Sequence, residues 1–385
     1  MKYSVNHPEI REAVSKLCSN FPGKYWQSCD QDKSYPHEFV EALTSAGYLS
    51  ALIPEEYGGQ NLSLSEAAAI LEEIHKSGCN AAACHAQMYT MGTILRHGSE
   101  KQKQAYLPSI ANGSSRLQAF GVTEPSSGTD TTSLKCSAKL KGNHYYICGQ
   151  KIWTSRAEYS DLLLLLARTT PISKVNKKTD GLSVFIVDLR EVPKNTISIK
   201  PIKTMMNHST TELFFDNMPV HQNNLIGEEG KGFKYILSGM NAERILISAE
   251  CIGDAKWFIN KARSYASERE VFQRKIGQNQ GIQFPISRCY SQMRAAELMM
   301  HEAIRLFDLG ENPGEEANIS KLLCADAQWQ AAETCIQTYG GFGFAEEYDI
   351  ERKFREARLY QVAPISTNLI LSYIAEHVLD MPRSY

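Results

Sequence analysis

The short spacings that usually announce a metal or a dithiol are missing from this chain. Its ten cysteines, at 18, 29, 79, 84, 136, 148, 251, 289, 324 and 335, contain no CxxC pair, and its ten histidines form no HxxxH or HxH set. No metal site is expected. No apolar run has bilayer length either. The most apolar, LLLLLA at 162–167, is closed by Asp161 and Arg168 and suits a buried strand rather than membrane insertion. Neither charge is in excess: 41 Lys and Arg against 43 Asp and Glu leave a formal net charge of −2. That balance gives no reason to expect nucleic acid or an anionic membrane surface as a partner. The opening MKYSVNHPEIRE has no apolar signal core and no Arg/Ser-rich presequence, so reduced, mostly buried thiols in a cytoplasmic protein are expected. Internal repeats and low-complexity segments are absent. What remains is an ordinary globular composition, 43% hydrophobic and 22% charged over 385 residues, the length of roughly two or three domains.

Up to residue 116 the apolar period is helical. SYPHEFVEALTSAGYLS (34–50) opens with Pro36 in a first turn and places Phe39, Leu43 and Tyr48 on one side. SLSEAAAILEEIHKSG (63–78) starts with a serine ahead of Glu66, a capping-box pattern, and ends on Gly78. GSEKQKQAYLPSIANGS (98–114) predicts a short helix stopped near Pro108 and Gly113. Between 117 and 226 the period changes to that of strands. LKCSAKLKGNHYYICGQ (134–150) alternates around Gly142-Asn143, a hairpin turn, and DLLLLLART, LSVFIVDL and ELFFDNMPV are short strands. From 227 to 385 long helical segments return. The reading is α+β, mostly α, in three domains: 1–116 helical, 117–226 β, 227–385 a helical bundle.

Two stretches at the start of the β region carry groups suited to a ligand. GVTEPSSGTD (121–130) is dense in hydroxyls, glycine and free backbone, although a generic turn has the same composition. QKIWTSRAEYSD (150–161) adds a tryptophan followed by Thr154 and Ser155; a lone tryptophan at a strand end is more often core. TYGGFGF (338–344) is not a dinucleotide fingerprint, because no strand precedes it and the GxGxxG spacing fails.

These two stretches, with YASEREVFQRKIGQNQ (265–280), QTYGGFGFAEEYDIERKFREARLYQ (337–361), GSEKQKQAYLP (98–108) and STTELFFDNMPV…NLIGEEGKGF (209–233), occur in the order seen in acyl-CoA dehydrogenases. From about residue 30 onward the chain resembles that family. The resemblance implies FAD, an N-terminal helical domain, a middle β-barrel and a C-terminal four-helix bundle, assembled as a homotetramer (a dimer of dimers) or a homodimer. It implies an acyl-CoA substrate dehydrogenated between its α and β carbons, with electrons passed to an electron-transfer flavoprotein. Carried over position by position, Thr123 contacts the flavin ring, Thr129 lies near the diphosphate, Trp153 covers one ring face and Ser155 reaches the reactive nitrogen. Arg269, Phe272, Gln280 and Gln337 match positions that bind the ADP half on a neighbouring subunit, and Ser366 and Asn368 match further cofactor contacts. Gln273 stands where the family's RxxFG pattern has glycine, which puts the shape of that loop in question.

One position departs from the pattern more sharply. Most relatives carry Glu-Gly-Thr where this chain has Pro364-Ile365-Ser366, and the glutamate is the base. Proline takes no proton, and it lacks the N–H that the resemblance implies for the thioester carbonyl; either Ile365 or Ala363 supplies that donor after a small backbone shift, or carbonyl activation is weaker. A minority of the family places the base on a bundle helix, as a glutamate directly before an arginine. GMNAERILISAE (239–250) supplies Glu243-Arg244 there, with Asn241 and Arg244 as substrate-binding residues. Taken alone, Glu-Arg on a helix is an ordinary ion-pairing dipeptide. Two other readings fit the vacancy at 364: a flavin oxidase or monooxygenase on the same fold, and a scaffold that binds flavin or acyl-CoA without turnover.

Overall fold

The computed structural model of the chain describes residues 6–383. The first five residues of the N-terminal stretch read above lie outside them. The order along the chain is helical, then β, then helical. Six helices come first: α1 (Pro8–Cys18), α2 (Gly23–Gln31), α3 (His37–Ser45), α4 (Leu64–Lys76), α5 (Ala82–His97) and α6 (Glu100–Ala111). The strands are β1 (Ala119–Gly121), β2 (Ser137–Lys141), β3 (His144–Ser155), β4 (Leu162–Arg168), β5 (Leu182–Asp188), β6 (Ile197–Pro201), β7 (Thr210–His221) and β8 (Leu225–Ile226). Then come α7 (Gly232–Glu268), a small hairpin of β9 (Glu270–Val271) and β10 (Arg274–Lys275), α8 (Gln280–Asp308), α9 (Gly314–Tyr339), α10 (Ile350–Ala357) and α11 (Thr367–His377). No helix of the described residues is long and apolar enough to cross a membrane.

The chain divides into two compact units. The first comprises residues up to Asp32, Ser63–Ala81 and everything from Asn241; the second comprises Lys33–Leu62 and Ala82–Met240. In the second unit β1–β8 form one sheet in the order β6-β7-β3-β2-β4-β5-β8, with β1 parallel to β4. Among the described residues β6 and β8 do not pair with each other, so the expected barrel is open at that seam. Lys141 faces His144 across Gly142-Asn143, the two-residue turn the sequence predicts, and Gly142 takes the positive φ of 58° that the first position of a type II′ turn demands. Every residue of β4 is buried, because β5 and β1 flank it and apolar side chains cover both faces. Leu163, Leu165 and Ala167 join Phe185, Val187, Leu213 and Phe215 in one core cluster.

Two helix boundaries differ from the sequence expectation. The 34–50 helix ends at Ser45, because Gly47 turns left-handed at φ 80°, and Tyr48 falls in a separate 3₁₀ turn. The 98–114 helix runs through Pro108 to Ala111 and stops at Asn112 and Gly113 (φ 80°). Pro108 sits in its last turn, where only one main-chain bond is lost.

In the first unit α4 begins with the full capping box: Ser63 and Glu66 each accept or donate across the first turn. α7 lies hard against α4 at Gly253, where an added Cβ would sit 2.2 Å from the Glu72 carbonyl oxygen. Beside that contact a buried polar cluster joins four helices. Ala81 N–H donates to His75 Nε2 at 3.1 Å, which leaves the ring proton on Nδ1 for Asp254 at 2.9 Å. Gln328 of α9 donates to the other Asp254 oxygen at 2.8 Å, and Lys353 of α10 pairs with the same carboxylate. All ten cysteines are free thiols, and nine of them are buried.

Candidate functional site

Thr123 follows β1 and is half buried, and its carbonyl accepts Ile152 N–H of β3 at 2.9 Å. That bond ties the GVTEPSSGTD loop to the strand carrying Trp153 and Ser155. Between Lys151 and Thr154 the β3–β7 register slips, and Trp153 takes φ 61°. Such a bulge re-aims a side chain, and the Trp153 ring is 57% exposed although its neighbours Lys151 and Thr154 are buried. Ser155 resumes the ladder opposite Thr210 and is half buried. Thr123, Trp153 and Ser155 are thus brought together, while Thr129 lies further along the loop and is exposed.

Beneath this loop is a pair that sequence reasoning missed. Lys151 Nζ donates to Glu124 at 2.9 Å and to the Val122 carbonyl at 2.9 Å; Glu124 also accepts Lys135 N–H and Cys136 N–H at 2.7 and 2.9 Å. Both residues are buried. The available signal was a lysine at an inward position of an alternating strand. A cleft of about 550 Å³ behind the loop is lined by Glu124, Ser126, Gln150, Thr196 and Phe215, among others, and by none of the expected residues.

In the other unit Glu243 is only 7% exposed on α7. Arg244 donates to Asn241 Oδ1 at 3.0 Å, back along the same helix, and burial pushes its guanidinium pKa down. Asn241 and Arg244 are therefore brought together. Arg269, Phe272, Gln280 and Gln337 are all exposed. Arg269 stacks 5.5 Å from the Phe342 ring, which places it near the end of α9 that carries Gln337. Phe272 and Gln273 form the turn between β9 and β10 with φ 51° and 63°. Gln273 thus adopts the left-handed conformation that glycine takes without cost, and the turn leaves Phe272 94% exposed.

The break before α11 keeps its irregularity. Val362 N–H and Ala363 N–H both donate to the Leu359 carbonyl, at 3.0 and 2.9 Å. Pro364 has no N–H, and Ile365 N–H has no hydrogen-bond partner among the described residues. Ser366 caps α11 by accepting Leu369 N–H, and Asn368 is exposed in the first turn.

In the second unit the exposed Trp153 indole and the Thr123 and Ser155 hydroxyls suit a flavin ring; in the first, the exposed Arg269 guanidinium beside the Phe342 ring suits a diphosphate.

Models of the N-terminal, middle and C-terminal domains of acyl-CoA dehydrogenase match residues 4–114, 119–218 and 230–379. An acyl-CoA dehydrogenase of Bacillus subtilis (strain 168) is 32% identical over 91% of this chain and 92% of its own. A solved glutaryl-coenzyme A dehydrogenase in complex with glutaryl-CoA shares 27% identity at a TM-score of 0.91, covering 100% of this chain and 98% of that one. A structure described as the electron transferring flavoprotein of Acidaminococcus fermentans also superimposes at a TM-score of 0.91 with 27% identity, covering 98% of this chain and all of that one.

Proposed function

The chain belongs to the acyl-CoA dehydrogenase family, and on that premise we propose that it dehydrogenates an acyl-CoA thioester with Glu243 as the base. The observation that carries this reading is the pairing of a proline at 364 with a buried glutamate at 243. A carboxylate shielded from water on a packed helix suits proton abstraction from carbon, and Pro364 has no such group.

FAD, when bound, supplies the hydride acceptor. The chain's own residues do the rest. Glu243 removes the α-proton. Arg244 and Asn241, held to each other, contact the substrate. Ile365 N–H donates to the thioester carbonyl: of the two candidates beside Pro364, Ala363 already spends its N–H on Leu359. Thr123 and Ser155 would hydrogen-bond the ring, Trp153 would cover one of its faces, and Thr129, Ser366 and Asn368 would contact the rest of the cofactor, while Arg269, Phe272, Gln280 and Gln337 would hold the ADP half of the FAD on a neighbouring subunit.

An electron-transfer flavoprotein is the proposed electron acceptor, as membership of the acyl-CoA dehydrogenase family implies. Assembly into a homotetramer or homodimer is supported by exposed Phe272, Phe284, Tyr290 and Phe344 in the first unit.

The test is anaerobic. Acyl-CoAs of graded length and branching are added to FAD-loaded protein, and the flavin band at about 450 nm is followed. Bleaching by one class supports the reading and identifies the acyl group. Full FAD occupancy without bleaching by any acyl-CoA refutes it.

A further inference from the structure

Lys321 of α9 is among the most deeply buried side chains of the protein, with 0% of its surface exposed. Burial lowers its pKa. A lysine in that position ordinarily has a carboxylate partner, since a buried charge without one is costly. Lys321 forms no salt bridge among the described residues. Its ammonium donates instead to two main-chain carbonyls, Tyr360 at 2.7 Å and Ile365 at 2.9 Å. The first belongs to the 3₁₀ turn Arg358–Gln361 and the second directly precedes Ser366, the N-cap of α11, so the two bracket the irregular stretch between them. Neither lies in a regular ladder, and buried carbonyls of that kind need a donor from elsewhere.

Tyr360 is also held at its other end. Its hydroxyl donates to Glu250 Oε2 of α7 at 2.7 Å, and the residue is buried. Glu250 lies seven residues beyond Glu243 on the same unbroken helix, and positions seven apart share a face of a helix. The turn is therefore clamped by α9 through Lys321 and by α7 through Glu250. α7 is the helix that carries the proposed base, and the clamped turn carries the uncommitted Ile365 N–H. α9 and α7 are themselves linked by a buried Ser320–Ser248 hydrogen bond of 2.9 Å, one residue from Lys321.

We infer that Lys321 is a positioning residue for the reaction: by bridging the carbonyls of Tyr360 and Ile365 it fixes the Pro364 turn, and with it the Ile365 amide, relative to the helix of Glu243. This inference rests on the function proposed above and deepens it. A chain that has replaced the usual residue at 364 by proline has lost one main-chain donor, so the placement of the next one is critical. Displacing a catalytic group by about 1 Å costs about a hundredfold in rate.

The experiment uses the FAD-loaded protein and an aryl-enoyl-CoA whose absorption shifts to the red when its thioester carbonyl is polarised by a donor. The parent is measured first, then Lys321→Met and the milder Tyr360→Phe, with flavin content and turnover of the best acyl-CoA recorded beside each spectrum. The expected result is a red shift in the parent, lost by half or more in Lys321→Met. There kcat falls about a hundredfold while KM and bound FAD change little. Tyr360→Phe is expected to move both readouts in the same direction by a smaller amount, and it carries the test if Lys321→Met does not fold. A parental red shift and kcat in both variants, or in a folded Lys321→Met, overturns the positioning role and leaves the proposed function standing. A parent that binds the thioester without any red shift and is not bleached by acyl-CoA overturns the proposed function, and the inference falls with it.

Discussion

Lys151 and Glu124 form a buried ion pair 2.9 Å long directly beneath the loop that carries Thr123 and Thr129. The lysine also holds the Val122 carbonyl and the glutamate holds two main-chain N–H groups, so three backbone segments converge on one pair. Its placement decides where Thr123 sits relative to Trp153.

Removing one member leaves the other charged, buried and without its counterion. Lys151→Met is expected to destabilise the protein by about 3–5 kcal/mol and to lower the fraction of protein that retains flavin. Urea denaturation and the flavin-to-protein absorbance ratio measure the two effects. Unchanged values of both would mean that the pair does not shape the loop.

Arg269 is exposed and stacked on Phe342, and it is proposed to meet a diphosphate. Hydrogen bonds to charged groups contribute about 1.5–3 kcal/mol, so Arg269→Gln is expected to weaken FAD binding by about ten- to a hundredfold. Titration of apoprotein with FAD, followed by flavin fluorescence, gives the value. Parental affinity in the variant would remove Arg269 from the cofactor site.

Gly253 lets α7 approach α4, and an added methyl group would meet the Glu72 carbonyl at 2.2 Å and His75 Cβ at 2.7 Å. Backbone there cannot yield as a side chain would. Gly253→Ala is expected to lower stability by about 1–3 kcal/mol or more through overpacking, read as a reduced urea midpoint with little change in slope. A midpoint within error of the parent would show that the two helices separate without cost.

Burial alone would raise the Asp254 pKa, but Lys353 and His75 outweigh it and hold the carboxyl down at about 2. Because the folded pKa lies below the unfolded value, the group's contribution to stability is present above pH 3.8 and is lost as the pH falls through about 2. The stability difference between the parent and Asp254→Asn is therefore expected to be constant above pH 5 or so and to narrow below pH 4. Urea midpoints across that range check it. A difference that widens on acidification would reverse the sign.

The parts of the fold decided within a few residues were legible in the sequence. Ser63 and Glu66 form the capping box, Gly142-Asn143 makes the hairpin turn, and LLLLLA is a strand buried throughout. Local signals failed where a neighbour overrode them: Gly47 ended a helix whose apolar spacing continued to Tyr48, and Pro108 was tolerated close to a helix end. The order of motifs located Thr123, Trp153 and Ser155 together, but not the strand irregularity that turns Trp153 outward. Lys151, Lys321 and Asp254 were invisible for one physical reason. Each is a polar residue at an inward position whose partner lies far along the chain, as Lys321 and Ile365 are 44 residues apart. Apolar periodicity has no term for a charge that is buried because another segment satisfies it.

The most direct measurement of the central claim is the anaerobic reduction rate of bound FAD by the best acyl-CoA, compared between the parent and Glu243→Gln with flavin content matched. The expected result is rapid bleaching in the parent and a rate lower by about 10²–10⁴ in the variant, the range for loss of a positioned base. Reduction of Glu243→Gln at the parental rate would contradict the assignment of Glu243 as that base.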